Sequence, residues 1–362
     1  MRIKTELLDD MHFGANDIRA IDGYNKPFNF VMSAREWGKS TGMWLFKIFA
    51  GWIKDKRPWI YLTRSCVEIS EALIETIFDT NINKWIDEPV KPQYKSTDFT
   101  GGIVDVCIDG EPFIRIVSLS IKLRRIKLAT LRRCKGVFMD EYVIDPRSGE
   151  KYSPEEAFKI KEAYTTWRRE CEGMLKCYFV GNPYSVFNPL FMDWGVSSAA
   201  LIASKGSYLV GDEYVIQWAN LPKRLIEHIL KVNPLYQFDK DYTSYAVQGN
   251  AVNDANIPIR ADQPMNFTLR FVLKVQGRYL GVFRGEEYRN GSFPFWVDFI
   301  GEPGARRVAF CFDLSEMVAR TALVGYDERL KLLSFKDAMR VRNVEFSDVS
   351  AYYLCEEVFK MI

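Results

Sequence analysis

Residues Ser33-Ala34-Arg35-Glu36-Trp37-Gly38-Lys39-Ser40-Thr41 place a small-residue turn, an ammonium and adjacent hydroxyls between an apolar run and a stretch of helical period. That context suits a phosphate chain. Backbone N–H groups at a helix start face an anion, and the helix dipole favours negative charge there. Gly38 lets the backbone approach without a Cβ, Lys39 can bridge outer phosphates, and the Ser40 hydroxyl can ligate Mg²⁺. The ligand implied is ATP with Mg²⁺, held by Ser33 through Thr41.

A second group follows in the right order. Gly136-Val137-Phe138-Met139 is an apolar strand ending in Asp140-Glu141. In P-loop ATPases the strand beside the phosphate loop delivers an Asp to Mg²⁺, and a following Glu can deprotonate the attacking water. Asn182, closing the next apolar run in Val180-Gly181-Asn182-Pro183, is placed to sense the γ-phosphate. Arg168 and Arg169 follow Trp167, and an arginine supplied by a neighbouring subunit neutralises charge on a transferred phosphoryl group. Arg35 can do similar work from within the loop. A basic block from Lys122 to Lys135, including Lys127, contains no acid and can follow a phosphate backbone or face a neighbour's nucleotide. Each feature has a plainer alternative when taken alone: a strand–helix turn, a surface Asp-Glu turn, a Gly-Asn-Pro turn, a solvated helix face.

The elements needed to position these groups are legible. Residues 28–32 and 59–62 read as buried strands, with helical spacing of Trp44, Leu45, Ile48, Phe49 and Trp52 between them. Residues 69–86 read as helix, 103–108 and 113–119 as a hairpin turning at Asp109-Gly110, and 136–140 and 175–180 as strands around a helix at 154–172. Strands alternating with helices predict an α/β fold with a mainly parallel sheet. Residues 220–260 read as a connector with one helix at 222–231. After Phe267 come strand-like runs (FTLRFVLKV, YLGVF, FPFWVDF, VAFCFDL) and a closing helix near 347–361.

The chain's 362 residues suggest two domains, and its 48% apolar and 27% charged content is that of a globular protein. A net charge of +2 confines any nucleic-acid contact to local patches or to many copies in a ring. Seven scattered Cys and only His12 and His228 disfavour structural zinc and suit reduced thiols in a cytosol. Neither a signal peptide nor a membrane span is expected.

FNFVMSAREWGKS, GVFMDEY, TWRRE and CYFVGNPYSVFNPLF together resemble the DNA encapsidation protein of small podophages, compact packaging ATPases related to large terminase subunits. The likeness covers most of residues 24–195, with a fainter echo in YLGVF and the closing helix. It implies an ASCE P-loop ATPase domain (1–208), a small linker or lid domain (209–260) and an RNase H-like domain (261–362). It also implies a ring, pentameric in the family, that moves double-stranded DNA into a procapsid from its portal vertex in the host cytoplasm, with a packaging RNA in some members. By position, Lys39 and Ser40 match the phosphate-loop ligands and Asp140 and Glu141 the metal and water-activating acids. Arg168 and Lys127 match groups acting across the subunit boundary, and Tyr24 the aromatic beside adenine. Ser33 stands where the family has Gly. Related terminases carry a two-metal nuclease here. FTLRFVLKV and YLGVF lack an acid where such a site begins, and Asp298 and Asp313 form no convincing cluster, so a vestigial, non-cleaving domain is expected. Another nucleic-acid translocase or helicase, or a terminase with an active nuclease, are the competing readings.

Overall fold

The computed structural model describes residues 3–4, 18–94, 101–145, 148, 150–153, 155–233, 235–238, 243–244, 246–249, 251, 254, 257–288, 293–304, 307–312 and 317–361. Two compact units are present: residues 1–194 with 200–253, and residues 195–199 with 254–362.

The first unit is built on a sheet of β1 (Phe28–Ser33), β2 (Trp59–Thr63), β3 (Gln93–Tyr94), β4 (Ile103–Ile108), β5 (Glu111–Ser118), β6 (Gly136–Asp140), β7 (Lys176–Gly181), β8 (Tyr208–Val210) and β9 (Tyr214–Ala219). Their order is β3-β4-β5-β2-β6-β7-β1-β9-β8. The six strands from β5 to β9 in that order are parallel, and antiparallel pairs close the edges. Central strands β1 and β2 are buried along their whole length, which is why they read as continuous apolar runs without alternation.

Helix α1 leaves β1 through the phosphate turn as three consecutive segments, Lys39–Gly42, Met43–Phe49 with π-type hydrogen bonding, and Ala50–Asp55. Its buried face carries Met43, Trp44, Leu45, Ile48, Phe49 and Trp52. Trp44 meets Tyr61 and Phe138 edge-on at 5.0 and 5.2 Å, and Trp52 meets Phe113 at 5.6 Å. Such aromatic pairs add roughly 0.5–1.5 kcal/mol each beyond area burial. They clamp the helix that presents Lys39 and Ser40 against the strands that present the acids. Helix α2 runs Glu71–Glu75 and continues with π-type bonding through Thr76–Thr80, with Ser70 accepting the Leu73 N–H as its cap. The predicted helix at 69–86 is therefore shorter and ends in a separate turn, Asn83–Trp85. Two further helices, α3 (Leu123–Leu128) and α4 (Glu156–Trp167), flank β6 in sequence, and α5 (Lys223–Val232) follows β9.

The second unit holds β10 (Thr268–Val275), β11 (Arg278–Arg284), β12 (Phe295–Ile300), β13 (Ala309–Cys311), β14 (Thr321–Leu323) and β15 (Val344–Phe346), in the order β14-β13-β10-β11-β12-β15. β10, β11 and β12 form an antiparallel meander, while β13, β14 and β15 are each parallel to their neighbours. Helix α7 (Val349–Met361) closes the chain as its spacing predicts, burying Val349, Leu354, Cys355 and Val358. Helix α6 (Tyr326–Arg340) is not anticipated by the sequence pattern. Among its described side chains Leu332, Phe335 and Ala338 are buried, and Phe335 packs against Phe271 and Phe295. No helix among the described residues is long and apolar enough to cross a membrane.

Candidate nucleotide site

The carboxyl ends of β1, β7 and β6 lie side by side, and the predicted groups meet there. Ser33 is buried and its backbone is outside the left-handed region, so a Cβ is tolerated there. Its hydroxyl donates to the Ala34 carbonyl at 3.2 Å. The chain then makes a short 3₁₀ turn, Arg35–Trp37, and reverses at Gly38 with φ +78°. A side chain at Gly38 would be strained by that φ, although nothing crowds its Cβ position. Trp37 is fully buried beneath the turn, Arg35 points outward, and Ala34 is buried. Glu36 belongs to the same turn.

Lys39 is only 5% exposed. Its Nζ donates to Asn182 Oδ1 at 2.6 Å, Ala34 O at 3.3 Å and Ser33 O at 3.5 Å. These three acceptors are neutral oxygens. Ser40 Oγ donates to Asp140 Oδ1 at 3.1 Å, and Thr41 Oγ1 donates to Asn81 Oδ1 at 3.2 Å. A hydroxyl and a carboxylate oxygen in contact form a hard-oxygen pair of the kind Mg²⁺ prefers, so the donor chemistry fits that ion.

Contrary to the expectation that the acid strand lies beside the strand leading into the phosphate turn, the two are not adjacent. β7 lies between them, pairing Val31 with Val180 and Asp140 with Val180. The intervening strand is what delivers Asn182 between Lys39 and the acids. Gly181 at its end packs closely, since a Cβ there would stand 3.0 Å from the Tyr142 ring and 3.3 Å from the Val143 nitrogen.

Burial pushes the Asp140 carboxyl up to about 6, and the charge of Glu141 adds to it, while the Ser40 hydroxyl and Lys39 oppose the shift. Its ordinary value is 3.8, so folding favours the neutral acid. The penalty on the fold begins as pH rises above the ordinary value and is complete above about 6. Asp140 keeps partial exposure at the mouth of the site, which limits the effect. Asp140→Asn is therefore expected to raise stability by on the order of 1–2 kcal/mol at pH 7.5 without Mg²⁺. The gain should shrink towards pH 5, as thermal melts of both proteins would reveal. Equal melting points across that range would contradict a desolvated carboxylate.

Glu141 is exposed and held in the left-handed region at φ +52°. Arg64, at the end of β2, explains how. Its guanidinium donates to Glu141 O at 2.9 Å and Tyr142 O at 2.6 Å and pairs with the buried carboxylate of Glu156 at 3.0 Å. Arg64 was not singled out from sequence. The available signal was a charged residue directly after a fully apolar strand, Trp59 to Thr63. A second unpredicted contributor is β9, which lies beside β1 and carries Trp218. The Trp218 indole donates to Gly249 O at 3.0 Å, and a Cβ at Gly249 would sit 3.5 Å from the Ala34 nitrogen.

Other predicted residues lie elsewhere. α4 is twelve residues long, about 18 Å. It starts at Glu156 beside Arg64 and ends at Arg168, whose turn (Arg168–Glu170) meets the chain entering β6 through the Arg133 N–H to Glu170 O bond at 3.3 Å. Arg168 is exposed at the amino end of that strand, opposite the phosphate turn. Lys127 pairs with Glu162 at 2.8 Å. Tyr24 is 39% exposed and packs on Tyr208 with ring centroids 4.7 Å apart. In the second unit Asp298 is half-buried on β12, and Asp313 lies outside the described residues. Among the described residues no three His, Cys, Asp or Glu side chains are grouped to hold a metal.

A parallel-cored sheet with a phosphate turn after one strand, and an acid pair after another with a third strand interposed, defines an ASCE-type P-loop α/β fold. No family model matches the sequence, and no curated protein matches it. Among solved structures the chain is similar to one in the bacteriophage phi29 viral genome packaging motor assembly, at 18% identity and TM-score 0.69 over 95% of this chain and 98% of that one. It is also similar to the phi28 gp11 DNA packaging motor, at 14% identity and TM-score 0.59 over 95% and 96%. Nearly the whole chain thus has the fold of phage DNA-packaging motor proteins.

Proposed function

We propose that this chain is the ATPase subunit of a viral genome-packaging motor, hydrolysing ATP to move double-stranded DNA into a procapsid. The observation that carries the reading is the meeting of Lys39, Ser40, Asp140 and Asn182 at one sheet edge, with Ser40 and Asp140 in direct contact. The whole-length likeness to packaging-motor chains supports the choice of DNA as the transported polymer.

In this reading the phosphates of ATP lie on the N–H groups opening α1, and Lys39 turns from Asn182 to the outer phosphates. Ser40 and Asp140 would hold Mg²⁺, which when bound would neutralise charge on the phosphoryl oxygens. Glu141 accepts the proton of the attacking water. Arg64 fixes the direction of Glu141 through its backbone, and Asn182, released by Lys39, registers the γ-phosphate. Arg168, and with it Lys127 once parted from Glu162, serves the neighbouring subunit's nucleotide, and Arg35 its own. Tyr24 flanks the base. The subunits form a ring at the portal vertex, pentameric as in the family resembled, with a packaging RNA as a further partner in the host cytoplasm. An RNase H-like second unit is supported by the β10–β11–β12 meander with β13 and β14 parallel beyond it, and its β10 carries Arg270 and Lys274 rather than acids.

The direct test is ATP turnover with and without DNA and procapsids. Lys39→Ala is expected to weaken ATP affinity by on the order of a hundredfold, the loss of charge-assisted bonds to phosphate. Calorimetric titration reads it, and unchanged affinity in the folded variant would dismiss the phosphate loop.

A further inference from the structure

We propose that Cys171 and Cys134 are a redox-active pair, joined by a reversible intramolecular disulfide that locks the arginine turn Arg168–Glu170 to the base of β6. The locking half rests on the function proposed above; the bridge itself does not.

The placement comes from both backbones. The Arg133 N–H donates to Glu170 O at 3.3 Å, one residue before each cysteine. The Arg57 guanidinium ties the same two segments, donating to Arg133 O and Cys134 O at 3.1 Å and to Glu172 O at 3.3 Å. The Cys134 thiol donates to Gly136 O and the Cys171 thiol to Trp167 O, each at 3.3 Å. The backbone bond one residue before each cysteine and the shared Arg57 clamp hold the two segments side by side, as a disulfide between them requires.

The pair is also chemically asymmetric. Cys134 is 1% exposed, whereas Cys171 is half-buried at the surface. The Cys134 thiol and the nearby Arg57 charge draw the Cys171 thiol below its ordinary range, and the same contact with burial pushes Cys134 up. An accessible, more acidic thiol beside a buried second one is the arrangement that reacts with peroxides and then resolves internally. The Cys171 thiolate attacks a peroxide oxygen, the O–O bond breaks, and a sulfenic acid and water result. The Cys134 sulfur then attacks the Cys171 sulfur, the S–O bond breaks, and a second water leaves with the Cys134 proton. Both sulfurs are oxidised and one peroxide is reduced.

The bridge closes a loop containing β6, Asp140, Glu141, α4 and Arg168. A turn that must reach a neighbour's nucleotide loses that freedom when stapled.

Full-length protein treated with a small excess of hydrogen peroxide is expected to fall from seven free thiols to five. It should lose two hydrogens in mass and yield a linked Cys134–Cys171 peptide. Cys171→Ser and Cys134→Ser should each abolish that peptide. Turnover should fall by on the order of tenfold, as for a misplaced catalytic group, and return with dithiothreitol; in Cys134→Ser, treated alike, it should stay unchanged. A Cys171–Cys177 link, intermolecular dimers, or seven thiols remaining would overturn the pair. A mapped bridge with turnover unchanged would overturn the lock. No turnover even in reduced protein would instead count against the ATPase reading, with the peptide map still deciding the bridge.

Discussion

Glu141→Gln is expected to bind ATP as tightly as the wild type while turning it over on the order of a thousandfold more slowly. The change keeps the shape of the side chain and removes its ability to take a proton. Backbone geometry should be preserved, because Arg64 holds the carbonyls of residues 141 and 142 rather than the Glu141 side chain. A loss of fold is thus not the expected outcome, and Glu141 is exposed at a strand end where no core contact depends on it. Titration calorimetry and single-turnover hydrolysis separate the two quantities. Turnover within about tenfold of wild type would assign the water-activating role to some other group.

Arg168→Ala is expected to lower turnover of assembled rings by on the order of a thousandfold, the effect of losing an arginine supplied in trans. The reason is geometric. α4 carries Arg168 about 18 Å from the end of the helix that meets Arg64. That leaves the side chain at the amino end of β6, while Asp140 and Glu141 close its carboxyl end. That placement sets it at the end of the strand away from Asp140 and Glu141 of its own chain. Mixing Arg168→Ala subunits with Glu141→Gln subunits should therefore restore activity, since some interfaces then join an intact acid to an intact arginine. Mixtures that stay inactive after demonstrated subunit exchange would remove Arg168 from the trans role. Monomer stability should be unaffected, because the guanidinium is exposed and Trp167, not Arg168, anchors the helix end by donating to Ile126 O at 3.2 Å.

Much of this site was legible because its residues are local. A phosphate turn is a strand end, a glycine in a left-handed conformation and a helix start, and all three lie within Ser33–Thr41. The apolar runs at 28–32, 59–62 and 136–140 reveal their strands, since a central parallel strand is covered on both faces and carries no polar alternation. The Asp140-Glu141 pair is contiguous with its strand for the same reason. By contrast, Arg64 and Glu156 are distant in sequence and join only because β2 and β6 are neighbours. β9 is as invisible: nothing in YVIQWA says that it will lie along β1 rather than within a connector. Helix α6 escaped because three small contact points among charges give too weak a period.

The residue types and their local order determined that this chain turns through Gly38 into a helix start carrying Lys39 and Ser40, and ends one apolar strand in paired acids. The phosphate turn depends on the conformation of a few consecutive residues, and so does the acid-ending strand. Tertiary structure decided that β7 stands between β1 and β6, that Asn182 therefore meets Lys39, that Arg64 steers Glu141, and that Arg168 faces away from its own site. Those outcomes depend on strand order and helix direction, which follow from burying aromatic pairs such as Trp44 with Phe138 and Phe30 with Phe179, and no short stretch of sequence carries that information.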